Sequence, residues 1–206
     1  MEVVISIVLV LVIIAAVLFL VFKPKEKGEN QGRDAYFYLV SFISLALLYW
    51  ALSDLVRVWL SEAWGVGNRS YYSYYGGGNT YQQDTLRNIS LRLSTIMVAL
   101  PVYIFHWYKA IMKKREEWDV QSRKSYCLGV LVLTSLMILG GGTGMVYQAT
   151  NSMLGVSSSA AESLAWLIPY TLSAAGLWVV HFKFWREVSE IKKEVVLEKP
   201  EALEVK

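Results

Sequence analysis

Tyr126-Cys127-Leu128-Gly129-Val130-Leu131-Val132-Leu133-Thr134-Ser135-Leu136-Met137-Ile138-Leu139-Gly140 opens a stretch that reaches Tyr147 without a charged residue. A helix crosses the roughly 30 Å hydrocarbon core of a bilayer in about 20 apolar residues, so this stretch is long enough to span. Four others resemble it: Val3–Phe22, Tyr36–Leu60, Ile89–Met112 and Ser163–Phe184. Composition agrees, with 55% hydrophobic and 18% charged residues in 206, against about 25% charged in an ordinary soluble domain. The expectation is an all-α polytopic membrane protein with five transmembrane helices.

The charges that remain lie between these runs. Lys23, Lys25, Lys27 and Arg33 follow the first, Lys113, Lys114, Arg115, Arg123 and Lys124 follow the third, and Lys183, Arg186, Lys192 and Lys193 follow the fifth. With five spans all three groups fall on one side, which the positive-inside rule makes cytoplasmic. The N-terminus is then outside and the C-terminus in the cytoplasm of a multi-pass cell-membrane protein. Val3–Phe22 reads as a retained anchor. Its head holds Glu2 and no Lys or Arg, its apolar run exceeds a signal core, and Phe22-Lys23-Pro24 is no small-x-small cleavage site. The chain divides into an anchor and linker (1–34), a transmembrane domain (35–187) and a cytoplasmic tail (188–206). Phe184–Leu197 extends the last helix beyond its apolar run.

A net charge of +3 without a basic stripe excludes a nucleic-acid partner. Cys127 is the sole cysteine, so an intrachain disulfide and a cysteine metal site are excluded as well. The outer segment Ser61–Asn88 carries Tyr71-Tyr72-Ser73-Tyr74-Tyr75 before Gly76-Gly77-Gly78. It reads either as a partner platform or as a loop resting on headgroups. Asn68-Arg69-Ser70 and Asn88-Ile89-Ser90 match the glycan acceptor pattern.

Two segments repeat one pattern. Tyr103-Ile104-Phe105-His106-Trp107 and Trp178-Val179-Val180-His181-Phe182 each place an aromatic three before a histidine and another directly after it. These are the only two histidines. Tyr36 and Tyr38 open one hairpin and Tyr126 opens the next, so the domain reads as two copies of a hairpin in the same orientation. That is the parallel class of repeat. The simplest architecture is a four-helix bundle of two repeated hairpins with the anchor helix on its side. The paired hairpins, together with Leu100-Pro101, an aromatic and His106-Trp107, resemble a family of prokaryotic membrane domains of unknown function. The resemblance covers Tyr36–Glu187. The second copy departs from it in having Phe182 after its histidine and Gly176 where the first has Pro101. It implies an architecture and no activity, substrate or cofactor.

Three groups of residues merit a chemical reading. From Asn88 to His106 is about 27 Å of helix and from Glu162 to His181 about 28 Å, so the histidines share one depth near the cytoplasmic face. Two neutral imidazoles at one level suit the axial positions of haem b, with Gly129 leaving room for a flat ligand. The plainer alternative is a pair of interfacial histidines with their polar edges in water. Asp54 and Arg57 share a helix face, and Arg92 lies at similar depth, so Asp54 is expected to pair with one of them. The pair serves either as a structural clasp or as an ion or proton step. Gly140 and Gly144 in Gly140-Gly141-Gly142-Thr143-Gly144 have the spacing that lets helices pack closely, or else mark where the helix ends. No catalytic constellation, zinc motif or acidic pair is present. The chemistry leaves a structural or accessory subunit of a membrane complex, with lipid, other membrane subunits or a second copy as partners. A haem-binding redox protein and a small-solute transporter are the alternatives.

Overall fold

A computed structural model describes residues 29–66, 81–111, 119–156 and 160–197. The anchor Val3–Phe22, the Tyr71–Tyr75 run, Asn68 and residues 198–206 lie outside them. Four helices make up the described chain: α1 (Glu29–Ala63), α2 (Tyr81–Ile111), α3 (Val120–Met153) and α4 (Ala160–Leu197). There is no strand among the described residues. Each helix contains a window long and apolar enough to cross a membrane. All four outrun their apolar stretches, because the flanking Gln, Glu, Arg and Ser residues satisfy a helical backbone in water as well as apolar ones do in oil. α4 continues to Leu197, and α3 passes through Gly140–Gly144 unbroken to Met153. The reading of that glycine run as a helix end is corrected. The i→i−4 ladder needs no side chain, and the neighbouring helix supports the segment.

α1 and α3 stop in the same way. Gly65 N–H donates to the Glu62 carbonyl and Val66 N–H to that of Ser61; Gly155 N–H donates to Ser152 and Val156 N–H to Asn151. Both glycines are left-handed, with φ 64° and 69°. This is the Schellman stop, in which a glycine without a Cβ penalty turns back to satisfy terminal carbonyls. At its other end α3 is capped by Asp119, whose carboxylate accepts from the backbone N–H groups of Gln121 and Ser122 at 3.1 and 3.3 Å.

α1 pairs closely with α2, and α3 with α4, as two hairpins. α1 joins the halves, packing on α4 and on α3, whereas α2 packs closely on α1 alone. Trp107 and Tyr103 reach from α2 toward the second hairpin: the Trp107 ring lies 5.2 Å from Tyr126 and 5.8 Å from Phe184, and Tyr103 hydrogen-bonds Tyr126. The core gathers there, around Tyr38, Phe42, Tyr126, Cys127 and Val130. Large apolar side chains face outward on every helix, among them Leu52, Met97, Leu139 and Leu172, with Met97 76% exposed.

Candidate functional site

The most connected polar group is the Asp54 carboxylate, fully buried on α1. Arg57 Nε, one turn on, reaches Oδ1 at 2.5 Å, and Arg92 Nε from α2 reaches Oδ2 at 2.6 Å. The Tyr170 hydroxyl of α4 donates to Oδ1 at 3.0 Å. The guanidiniums lie over tryptophans, Arg57 at 4.1 Å from the Trp166 ring centroid and Arg92 at 3.5 Å from that of Trp50. Both expected partners of Asp54 therefore bind it at once, where the sequence expectation named one or the other. Nothing in the residue pattern pointed to Tyr170 or Trp166, because these contacts are made by a helix more than a hundred residues away, nor to Trp50, whose ring is met by Arg92 of the neighbouring α2. A carboxylate shared by two guanidiniums and a phenol ties α1 to α2 and to α4. Charge-assisted bonds of this kind are the strong ones, and each ring face offers a cation a further attraction.

The histidines share a local geometry and differ in surroundings. Nδ1 of His106 lies 2.7 Å from the Val102 carbonyl and Nδ1 of His181 lies 2.9 Å from that of Leu177, each one turn back on its helix. Flanking rings stack one turn apart in both, Tyr103 on Trp107 and Trp178 on Phe182. Each imidazole also meets the tyrosine that opens its own hairpin. His106 and Tyr36 are 5.7 Å apart between centroids, His181 and Tyr126 5.6 Å. The second pair is deep: His181 is 2% exposed, Tyr126 is fully buried, and its hydroxyl lies 3.2 Å from His181 Nε2. The first is open, with Tyr36 half exposed.

These contacts do not fit a bis-histidine haem. Such a haem needs a free ring nitrogen from each histidine aimed at one iron. Both nitrogens of His181 are engaged, and the ring neighbours of His106 are Tyr36, Phe37 and Phe105 rather than anything around His181. The rings of Trp107, Tyr126 and Phe184 meet where the second hairpin approaches α2. Among the described residues no group of three His, Cys, Asp or Glu could hold a metal ion.

In the glycine run, a Cβ on Gly144 would meet Leu167 at 3.0 Å, and one on Gly141 would meet the Thr171 hydroxyl oxygen at 2.0 Å. Gly140 faces open space. Close approach of α3 to α4 therefore uses Gly141 and Gly144, one turn apart. Asn88 of the second glycan pattern is inside α2.

Toward the other end of α1, Asp34 is buried, as are Arg123 and Ser122 on α3. The sequence offered no signal for this second polar group, since Asp34 and Arg123 sit in what read as charged flanks. From Asp34 to Asp54 is about 30 Å of one helix at 1.5 Å per residue.

Among the described residues, fold and site together define an all-helical arrangement of paired hairpins, held by a buried charge cluster at one end and an aromatic core toward the other, with four helices long and apolar enough to span a membrane. The chain belongs to the family described as a domain of unknown function, DUF5671, which matches residues 34–187. That range is close to the Tyr36–Glu187 stretch that carries the resemblance noted above. Comparison with curated proteins and with solved structures found no match.

Proposed function

We propose that the protein is a multi-pass membrane protein built from a duplicated hairpin and serving as a structural or accessory subunit, with its N-terminus outside and its C-terminus in the cytoplasm. The observation that carries the membrane part is the spacing of polar burial on α1. Asp34 and Asp54, each buried, stand apart by about the thickness of a hydrocarbon core. Between them α1 turns apolar side chains such as Ile43, Leu47 and Leu52 outward. Exposed apolar surface on this scale is stable against lipid and not against water. The basic segments, which fall on one side if there are five spans, support the orientation.

The duplication is supported by the twin Schellman stops, the twin histidine–carbonyl bonds and the twin Tyr–His contacts. The non-catalytic part rests on the state of the polar groups: Asp54 has its oxygens bound by two arginines and a tyrosine, an arrangement suited to holding helices rather than passing an ion. Retention in the pellet after alkaline carbonate washing tests the membrane assignment, and release into the supernatant overturns it. Mild detergent extraction then tests the role. A subunit is expected to migrate in a complex of fixed stoichiometry, whereas a lone monomer with Asp54-dependent solute flux in liposomes refutes an accessory role.

A further inference from the structure

α1 and α2 alone line an apolar groove of about 440 Å³, formed by Ser44, Leu47, Ser94, Thr95, Val98, Ala99 and Val102. Small residues are frequent in it, and small residues are what allow a further helix to approach closely within a membrane. α2 is the least covered of the four helices. Ser44 stands midway between Asp34 and Asp54 in sequence, so on the membrane reading, on which this inference rests, the groove opens near the bilayer midplane. There lipid offers a hydroxyl no hydrogen-bond partner.

We propose that the groove is the seat of the chain's own N-terminal stretch, Val3–Phe22. The length of the segment fits. It is uncharged throughout and apolar but for Ser6, and only Lys23–Gly28 separate it from the start of α1 at Glu29. A link of six residues reaches at most about 20 Å, or about two helix-to-helix spacings, which favours a place beside α1 and antiparallel to it. With Phe22 level with Asp34, where the hydrocarbon core begins on the membrane reading, an antiparallel helix brings Ser6 to the level of Trp50. Ser6 is the one polar residue in Val3–Phe22, and because Asp54 meets Arg92 across the antiparallel α1 and α2, this register sets its hydroxyl at the level of Ser94 and Thr95. A segment docked this way covers the exposed side of α2 and supplies a polar partner where lipid has none.

Cross-linking in native membranes tests the placement. In a Cys127→Ala background with a protease site inserted between Lys25 and Glu26, Ser6→Cys is combined with Ser94→Cys or with Leu136→Cys, on the outward face of α3. Maleimide labelling of each single-cysteine variant confirms that the thiols react. With a short bismaleimide, the Ser6→Cys/Ser94→Cys pair is expected to keep most of the N-terminal tag on the full-length band after cleavage, and the Leu136→Cys pair to release it. Release from both, linkage through Leu136→Cys instead, or a product of twice the mass, which would put a second copy in the groove, each overturns the proposal. Loss of the protein from carbonate-washed membranes would instead overturn the membrane reading beneath it.

Discussion

The two hairpins solve one packing problem with different chemistry. Counting from the opening tyrosine, Asp54 stands 18 residues after Tyr36 and Gly144 stands 18 after Tyr126. Counting back from the histidine, Arg92 stands 14 before His106 and Leu167 stands 14 before His181. The structure brings each of these pairs together: Asp54 on Arg92 in the first hairpin, Gly144 against Leu167 in the second. One hairpin closes through a buried ion pair, the other through a missing side chain filled by a leucine. The Tyr–His contact trades places in the opposite sense. It is buried and hydrogen-bonded in the second hairpin and open in the first. The first hairpin's ion pair and the second's buried Tyr–His contact lie at opposite ends of the fold. Equivalent positions need not share a residue type, because what the geometry demands is a filled space with its polar groups satisfied.

The largest break in this comparison should come from Asp54→Ala. It strands two buried guanidiniums, and removal of one member of a buried ion pair costs about 3–5 kcal/mol. Unfolding in detergent should register the loss, and a shift below about 1 kcal/mol would show the cluster to be solvated. The triple variant Asp54→Gly/Arg57→Leu/Arg92→Leu rebuilds the clasp after the pattern of the second hairpin. It should recover most of that stability, since apolar replacements of buried charge are often neutral. The two histidines come next. His181→Ala removes one of two hydrogen-bond partners of the buried Tyr126 hydroxyl, Tyr103 being the other, and empties space beside it, at a cost of about 1–3 kcal/mol. His106→Ala, in the more open site, should cost less than half as much. Equal losses would mean that the open pair is covered by something outside the described residues.

Smaller effects separate the glycines. Gly141→Ala drives a Cβ into Thr171 and should destabilise by about 1–3 kcal/mol, with Thr171→Ala in the same chain restoring most of it. Gly140→Ala meets nothing and should stabilise by about 0.5–1 kcal/mol through helix propensity. The reverse ranking would place Gly140, not Gly141, at the interface. Last is an expected null: protein made with ample haem should show no Soret band, and a band that sharpens on reduction and disappears with His181→Ala would require the second hairpin to repack.

The helices were legible in the sequence because hydrophobic length is a one-dimensional property. A run such as Tyr126–Tyr147 announces itself before any contact is known. Asp54, Arg57 and Arg92 were legible too, because charge inside an apolar run demands a partner and the candidates within reach were few. Tyr170, Trp50, Trp166 and the Asp34–Arg123 level were not, because a phenol, an indole or a flanking charge is unremarkable until another helix is laid beside it. The histidines mark the boundary between the two kinds of knowledge. Their matched spacing set a common depth on two helices, which is a matter of rise per residue. It could not set their rotation about the helix axis, and rotation decides whether two rings meet each other or, as here, each meets the tyrosine of its own hairpin. In the same way Gly140 and Gly144 satisfied a spacing rule, while the face that α3 turns to α4 uses Gly141 and Gly144. Length, polarity and depth are written along the chain. Facing is settled only when all the helices compete for the same space.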